Sequence, residues 1–427
     1  MIHMLENHIL VAVIVFALTY SAIIYEKINR MVVALAGAVL MIIFQVLSQE
    51  HAIRHIDFNT IGLLIGMMVI VLILKRTGVF QYIAIKSAKK AKGEPWKIMV
   101  LFAVATAVAS ALLDNVTTIL LIAPVTLVIT DTLKINPTPF LITEVFAANV
   151  GGTATLIGDP PNIMIGGATH LSFMEFLINL GPIAAVILVV TITLLVVIFR
   201  RSMLVEERNK GKVLEFDEGK AIQDKKLLVK SMIILGITIT GFTMHSVIQL
   251  ESATVAITGA VALLLVSGIE PEDIFMEIEW TTIFFFAGLF ILVGSLEEVG
   301  LIEKLAVRVM GLTKGNLFVA AMLILWMSAI LSAFLDNIPF VATMIPLIKS
   351  LEAIAGTELT TLWWALSLGA CLGGNGTIIG ATANVIAGGM LEKHGWKLGF
   401  FNYMKVCFPL MLVSIFLSML YIIIFYL

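Results

Sequence analysis

Long apolar segments recur along the whole chain and are separated by short polar stretches. Clear examples are the runs 10–25, 60–74, 184–199 and 408–427. Segments of this kind cross the roughly 30 Å of hydrocarbon in a bilayer as helices, and their number predicts an all-α polytopic membrane protein with about 10 transmembrane helices. The composition agrees, because 60% of the residues are hydrophobic and 13% are charged, against about 25% charged in soluble domains.

The two halves of the chain repeat one another with a constant offset of 222 residues. The segment 111–115 (ALLDN) aligns with 333–337 (AFLDN), and 151–158 (GGTATLIG) aligns with 373–380 (GGNGTIIG). We therefore predict two structural repeats, 1–200 and 231–427. The basic stretch 201–230 between them predicts a solvated cytoplasmic linker.

Each repeat contains two segments that are interrupted midway. Asp114 and Asn115 interrupt the apolar stretch 98–131, whose arms of about 15 residues are shorter than the roughly 20 needed to span. This predicts re-entrant hairpins at 98–131 and 316–350. The Gly- and Pro-rich segments that follow cannot continue a helix, so we expect broken helices at 138–168 and 361–390.

The remaining spans give five crossings per repeat. Because five is odd, the second repeat must be inverted relative to the first. With both termini outside the cell membrane, 22 of the 27 Lys and Arg residues lie on the cytoplasmic side, as the positive-inside rule requires. The sequence therefore predicts two inverted repeats.

The interruptions predict an ion-binding or substrate-binding site. Non-helical backbone at membrane depth is tolerated only where it is buried in protein or lines a wet cavity, and freed backbone groups there suit ions. The hard oxygens of Asn115, Thr155, Asn337 and Thr377 are the expected ligands if Na⁺ binds, and no other cofactor is expected. The complete expected set is Asn115, Thr117, Thr118, Asn149, Gly151, Gly152, Thr153, Thr155, Asp159, Asn162, Asn337, Gly373, Gly374, Asn375, Thr377 and Asn384.

Three acidic residues are candidates for coupling transport to H⁺ or Na⁺, and a fourth is a candidate ion ligand. Asp114 and Asp336 occupy equivalent positions and are expected to couple, to cap the second hairpin helix, or to do both. Glu144, whose partner position is Leu366, is either a second proton carrier or a group hydrogen-bonded between helices. Asp159 precedes two prolines and is either an ion ligand or a helix N-cap.

These motifs resemble those of the ion transporter superfamily, near the arsenite-permease and sodium–proton antiporter (ArsB/NhaD) branch, and are similar to P-protein-like and citrate-transporter-like proteins. The matching segments are 114–118 (DNVTT) and 149–162 (NVGGTATLIGDPPN). The resemblance implies a division into scaffold and transport parts, homodimers and elevator-type movement. In the dicarboxylate members the hairpin tips carry Ser-Asn-Thr. The Asp-Asn tips of this chain favour protons or cations instead.

The sequence thus predicts a secondary active transporter, coupled to H⁺ or Na⁺, that moves a small inorganic ion by alternating access. Arsenite or antimonite efflux and Na⁺/H⁺ antiport are its two versions. A citrate-like carboxylate symporter and an anion channel of the P-protein type are the alternatives. No enzyme is expected, since the chain contains no HExxH, and no primary pump is expected, since it contains no GxxxxGK[ST]. Expected partners are the small-ion substrate, the lipid bilayer and a second copy of the chain, with an ATPase subunit left open and no nucleic acid.

Overall fold

The computed structural model describes residues 2–25, 27–244 and 250–427, with side chains from residue 8 onward. All regular secondary structure in these ranges is helical. Ten of the described helices are long and apolar enough to cross a membrane, which confirms the predicted all-α membrane fold. Met1, where the predicted external N-terminus begins, lies outside the described residues.

The helices of the two halves correspond to each other in order. The first repeat contains α1 (Ile2–Tyr25), α2 (Arg30–Ile43), α3 (Gln49–His55), α4 (Phe58–Lys75), α5 (Val79–Lys90), α6 (Pro95–Leu112), α7 (Asn115–Leu133), α8 (Thr138–Thr153), α9 (Pro160–Thr169) and α10 (Phe173–Phe199). After α11 (Glu207–Leu214), the second repeat contains α12 (Lys225–Thr243), α13 (Ser252–Ser267), α14 (Pro271–Phe275), α15 (Trp280–Glu298), α16 (Leu301–Thr313), α17 (Leu317–Phe334), α18 (Asn337–Ala355), α19 (Thr360–Gly373), α20 (Thr382–Lys393) and α21 (Phe400–Phe425).

Two hairpins and two broken helices occupy the predicted places. Hairpin 1 is α6 and α7, and hairpin 2 is α17 and α18. Broken helix 1 is α8 and α9, and broken helix 2 is α19 and α20. The arms of both hairpins have 18 and 19 residues, more than the roughly 15 expected from the span-length argument. They are longer because the helices continue beyond the predicted ends: hairpin 1 runs from Pro95 to Leu133, and hairpin 2 ends at Ala355. The tips themselves are Leu113-Asp114 and Leu335-Asp336.

Two apolar helices are shorter than a membrane span. Helix α2 has 14 residues and α13 has 16. The apolar run after Arg30 continues to Leu47, but Gln45 adopts a left-handed φ of 56° and the chain turns after Ile43. At about 1.5 Å per residue, neither helix covers a hydrocarbon core of about 30 Å. The ten long helices instead include the four hairpin arms, so the five crossings per repeat remain a prediction.

Helices from the two repeats pack on each other to form a unit that we call the frame, which consists of α1, α2, α4, α12, α13 and α15. In it α4 packs on α13, and α2 packs on α15. A Cβ at Gly66 would lie 2.7 Å from the backbone of Ala256, and one at Gly288 would lie 2.8 Å from that of Ala34. These residues are related by the offset of 222, so the same close contact is made twice.

The hairpins and broken helices also pack in equivalent pairs. Within each repeat the first hairpin arm packs on the first half of the broken helix, α6 on α8 and α17 on α19. Between the repeats, α7 packs on α20 and α18 packs on α9. These contacts between the repeats bring both hairpin tips and both helix breaks together inside the protein.

The linker is more structured than the sequence suggests. It ends at Asp224, which caps α12, instead of continuing to 230. Its Val213 is buried in a cluster of apolar side chains with Phe102 and Ile129 of hairpin 1. Lys89 of α5 forms an ion pair with Glu218 of the linker and holds the pKa of that carboxyl below its ordinary value through the hydrogen bond it donates. The linker is therefore docked on hairpin 1, because its few apolar residues find partners there.

The contact between hairpin and broken helix generates a prediction about glycine. A Cβ at Gly151 would lie 2.2 Å from the Ala107 carbonyl oxygen, and one at Gly373 would lie 2.5 Å from that of Ala329. We expect Gly151→Ala and Gly373→Ala to destabilise the protein by about 1–3 kcal/mol each through overpacking. Thermal unfolding of the purified protein in detergent measures this.

The matched control is Gly389→Ala, since a Cβ at that helical position meets nothing within 4 Å. Its unfolding temperature should equal or exceed that of the wild type, because alanine favours helix. Equal unfolding temperatures for all three variants would contradict the packing argument.

Candidate ion-binding site

The hairpin tips are capped by their aspartates, but in different ways. Asp114 accepts hydrogen bonds from the backbone N–H of Thr117 (2.8 Å) and from its hydroxyl (2.5 Å). The position equivalent to Thr117 is Pro339, which has neither group. Asp336 therefore accepts from the N–H of Ile338 at 3.0 Å, and its other oxygen is left for partners outside the hairpin. The expected capping role is present at both tips.

The second oxygen of Asp336 binds an arginine that is not among the expected site residues. Arg30, at the start of α2, donates from Nη1 to Asp336 Oδ2 at 2.7 Å and to the Thr382 hydroxyl at 2.8 Å. Its guanidinium lies over the Phe285 ring, 5.0 Å from the centre. The one available signal was asymmetry, since the position equivalent to Arg30 is Ser252.

The interruptions of the broken helices are held by one asparagine each. The Asn162 amide donates to the carbonyl of Thr155, and the Asn384 amide donates to that of Thr377, both at 2.9 Å. Carbonyls freed by a break need partners when water is excluded, and these amides provide them. Second bonds run from Asn162 to Thr153 O (3.1 Å) and from Asn384 to Gly374 O (2.8 Å).

Hydroxyl groups attach the breaks to the hairpins. Thr155 donates to the carbonyl of Ala111 at 2.5 Å, and Thr377 donates to that of Ala333. These two threonines, expected as sodium ligands, thus use their hydroxyl protons to anchor the end of the first hairpin arm. In the same way Ser110 donates to Ala148 O at 2.7 Å, and Ser332 donates to Ala370 O at 2.6 Å.

Asp159 lies where the two hairpin tips meet. Its Oδ1 accepts from the side-chain amides of Asn115 and Asn337, each at 3.3 Å. The side chain is fully buried, and Oδ2 has no hydrogen-bond partner among the described residues. Asp159 occupies the expected N-cap position of α9, but its side chain makes no capping hydrogen bond. Its equivalent is Ala381, which leaves one carboxylate between two equivalent asparagines.

A chain of amides connects this carboxylate to broken helix 2. Asn115 donates to Asn149 Oδ1 at 3.0 Å. Asn149 in turn donates to the side-chain oxygens of Asn375 (2.9 Å) and Asn384 (3.0 Å). The amide nitrogen of Asn375 is buried without a partner in the described part of the chain. Both repeats thus contribute to one buried polar network.

The second repeat has a thiol where the first has an amide. Cys371 is equivalent to Asn149 and is fully buried, with its sulfur 3.5 Å from Asn162 Oδ1. The same oxygen accepts from the Ser367 hydroxyl at 2.6 Å. The Cys371 thiol therefore donates to Asn162 and lies close to Asp159, and the amide chain runs through Asn149 alone.

Glu144 is buried away from this network. Its Oε1 accepts from the Thr126 hydroxyl at 2.5 Å, and Oε2 has no partner within the described ranges. Thr126 lies on α7 and Glu144 on α8. The structure thus contains the interhelical hydrogen bond that was one of the two expectations for this residue.

The other expected residues shape the site through the backbone. A Cβ at Gly152 would lie 2.5 Å from the carbonyl of Gly158, so the two sides of the break touch. Thr153 donates to the carbonyl of Asn149 at 2.7 Å, whereas the hydroxyl of Thr118 is buried without a partner in the described residues.

Comparison with known sequences identifies the family of this chain. The profile of the family CitMHS, described as citrate transporter, matches residues 20–369. The chain belongs to this citrate transporter family. Uncharacterized transporters of Mycobacterium bovis and Mycobacterium tuberculosis are 44% identical over 96% of this chain and 97% of their own length. The P proteins of Mus musculus and Homo sapiens are 33% identical over 98% of this chain, which spans 60% of their length.

A solved structure shares the fold. The YdaH transporter of Alcanivorax borkumensis, described as having an unusual topology, matches 87% of this chain and 85% of its own with a TM-score of 0.60 at 12% identity. The predicted resemblance to P-protein-like and citrate-transporter-like permeases is confirmed. The protein is a transporter of this family and not an enzyme.

The asparagines at the breaks give a testable prediction. Asn384→Ala removes the partner of two buried carbonyls and an acceptor of Asn149. Each buried group left without a partner costs about 1–3 kcal/mol. We expect a lower unfolding temperature in detergent, together with loss of transport.

Asn402→Ala is the control, since that side chain is exposed and should unfold like the wild type. If Asn384→Ala unfolds at the wild-type temperature, the amide does not hold the break.

Proposed function

We propose that the protein is a secondary active transporter coupled to H⁺ or Na⁺, and that Asp159 is its coupling carboxylate. The observation that carries the proposal is the position of Asp159, buried and hydrogen-bonded to both hairpin tips through Asn115 and Asn337. A proton or cation bound there contacts both repeats at once. Its binding and release therefore act on the relative position of the two hairpins, which alternating access requires.

Electrostatics supports this role. In the described ranges the neighbours bonded to Asp159 are neutral amides, and no ion pair involves it. Burying an unpaired carboxylate is costly, so it takes up a proton or a cation. The unpartnered Oδ2 provides the oxygen for either. Asp114 and Asp336 cap their helices and are secondary candidates for coupling.

The transported substrate has two candidates. The sequence favours a small inorganic ion, either in arsenite or antimonite efflux or in Na⁺/H⁺ antiport. The description of the family as citrate transporters favours an organic carboxylate. Arg30, which lies beside the tip of hairpin 2, supplies a guanidinium that can bind one. A channel of the P-protein type differs from both because its flux is independent of a coupling ion.

We extend the proposal to a homodimer in the cell membrane. The apolar side chains of Leu10 and Leu18 on α1 are 59% and 66% exposed, and they suit contact with lipid or with a second copy of the chain.

Proton-coupled flux in liposomes tests the coupling role. Purified protein in sealed vesicles with an imposed pH gradient and an internal pH dye is challenged in turn with Na⁺, Li⁺, K⁺, arsenite and citrate. We expect one class of solute to dissipate the gradient, and we expect Asp159→Asn to reduce that response to background, because asparagine neither releases a proton nor neutralises a cation.

Asp131→Asn is the matched control, since Asp131 is exposed at the end of hairpin 1, and it should respond like the wild type. Asp114→Asn and Asp336→Asn compare the two caps. Coupled flux that persists in Asp159→Asn would refute the assignment, and single-channel currents in planar bilayers would favour the channel.

The inverted topology gives a separate prediction. The cysteines at 371 and 407 are buried, so an introduced surface cysteine can be labelled selectively. In intact cells a membrane-impermeant maleimide should label Lys314→Cys and spare Lys212→Cys until the membrane is permeabilised, because the positive-inside rule places the linker inside. Labelling of both positions in intact cells, or the reverse pattern, would contradict the predicted orientation.

A further inference from the structure

A cavity of about 320 Å³ lies between the frame and the tip of hairpin 2. Its walls come from α1, the start of α2, α15, the hairpin tip and α20. Among the described residues that line it, Arg30 is the one base and Asp336 the one acid. Small-molecule sites begin at about 300 Å³, so the cavity has the size of a site for a small ligand.

Arg30 lines this cavity and uses only part of its guanidinium for hydrogen bonds to the described residues. Its Nη1 serves Asp336 and Thr382, while Nε and Nη2 donate no hydrogen bond to the described residues. Contact with the Phe285 ring and the bond to Asp336 hold the guanidinium in place. A guanidinium fixed in this way binds a carboxylate through two parallel hydrogen bonds.

The charges in the cavity limit the ligand to few negative charges. Arg30 is already balanced by Asp336 at 2.7 Å, and Glu279 is close enough to Arg30 to interact with it electrostatically. A ligand with two or three carboxylates would bring charges that no further base in this lining balances. One carboxylate can bind the Nε and Nη2 groups of Arg30 while Asp336 stays on Nη1.

The walls favour an apolar body on the ligand. Most of the lining side chains are aliphatic or aromatic, among them Ile23, Phe340 and Ile379, and the other polar groups are few and neutral, such as Asn29 and Thr281. A hydrated inorganic ion would make no apolar contacts with these side chains. An organic skeleton fills them and gains free energy from the apolar area it buries.

We propose that this cavity binds a small organic monocarboxylate and that Arg30 recognises its carboxylate group. The inference deepens the proposed function, on which it rests, by naming the chemical class of the substrate. It concerns binding at the frame, whereas Asp159 concerns coupling.

Equilibrium binding of radiolabelled benzoate to the purified protein in detergent tests the proposal, with benzyl alcohol and citrate as unlabelled competitors. We expect unlabelled benzoate to compete. Benzyl alcohol should compete at least about tenfold more weakly, because it lacks the charge that strengthens the hydrogen bonds to Arg30. Citrate should also compete at least about tenfold more weakly, because no further base in the lining balances its other carboxylates. Arg30→Gln should weaken benzoate binding about tenfold or more, and Arg30→Lys should lie between, because it keeps the charge but loses the fork.

Asp336→Asn should bind benzoate more tightly than the wild type, because asparagine still caps the helix but does not balance the charge of Arg30. This opposite change separates recognition from a folding defect. Lys27→Gln, which removes an exposed charge nearby, should bind like the wild type.

Unchanged benzoate binding in Arg30→Gln, or tighter binding of citrate than of benzoate, would overturn the proposal. The measurement needs no ion gradient. Loss of coupling in Asp159→Asn and loss of binding in Arg30→Gln are therefore independent results, and either proposal can fail without the other.

Discussion

The need to satisfy broken backbone inside a membrane determines how this protein is built. A helix that stops midway leaves carbonyl and N–H groups without partners, and hydrocarbon offers none. Here the amides of Asn162 and Asn384 bind the carbonyls of the breaks, and the hydroxyls of Thr155 and Thr377 join the breaks to the hairpins. Because these bonds use the polar groups of both segments, hairpin and broken helix depend on each other, and the site exists only when both are in place.

The repeat supplies the framework of the site, and departures from the repeat supply its chemistry. The equivalent asparagines at 115 and 337 meet one carboxylate, because the partner of Asp159 is an alanine. The amide chain runs through Asn149, because its partner is a cysteine. A site with full symmetry would place two carboxylates side by side, where they repel each other. The single substitution leaves one ionisable group that both repeats contact.

Much of the fold followed from the sequence, because the offset of 222 located both hairpins and both breaks without any structure. Helix ends were less predictable. The apolar run after Arg30 continues to Leu47 and gave no sign that α2 ends at Ile43, just before Gln45 adopts a left-handed φ. The partners of Asp159 and Arg30 could not be predicted from sequence. Both depend on packing between repeats, and Arg30 lies 306 positions from Asp336. Adjacent residues suggested a cap for Asp159, whereas the folded chain brings it two amides from distant tips.

The two tips are therefore chemically different although their sequences nearly match. Asp114 is satisfied within its own hairpin by Thr117. Pro339 removes that option at the other tip, so Asp336 reaches to the frame. A partly exposed ion pair such as the one with Arg30 contributes about 1 kcal/mol or less, so it costs little to break. A single proline in the second repeat thus changes a local helix cap into a weak contact between hairpin 2 and the frame. Asp114 of hairpin 1 has no such need, because Thr117 satisfies it, so the two halves of a symmetric fold differ.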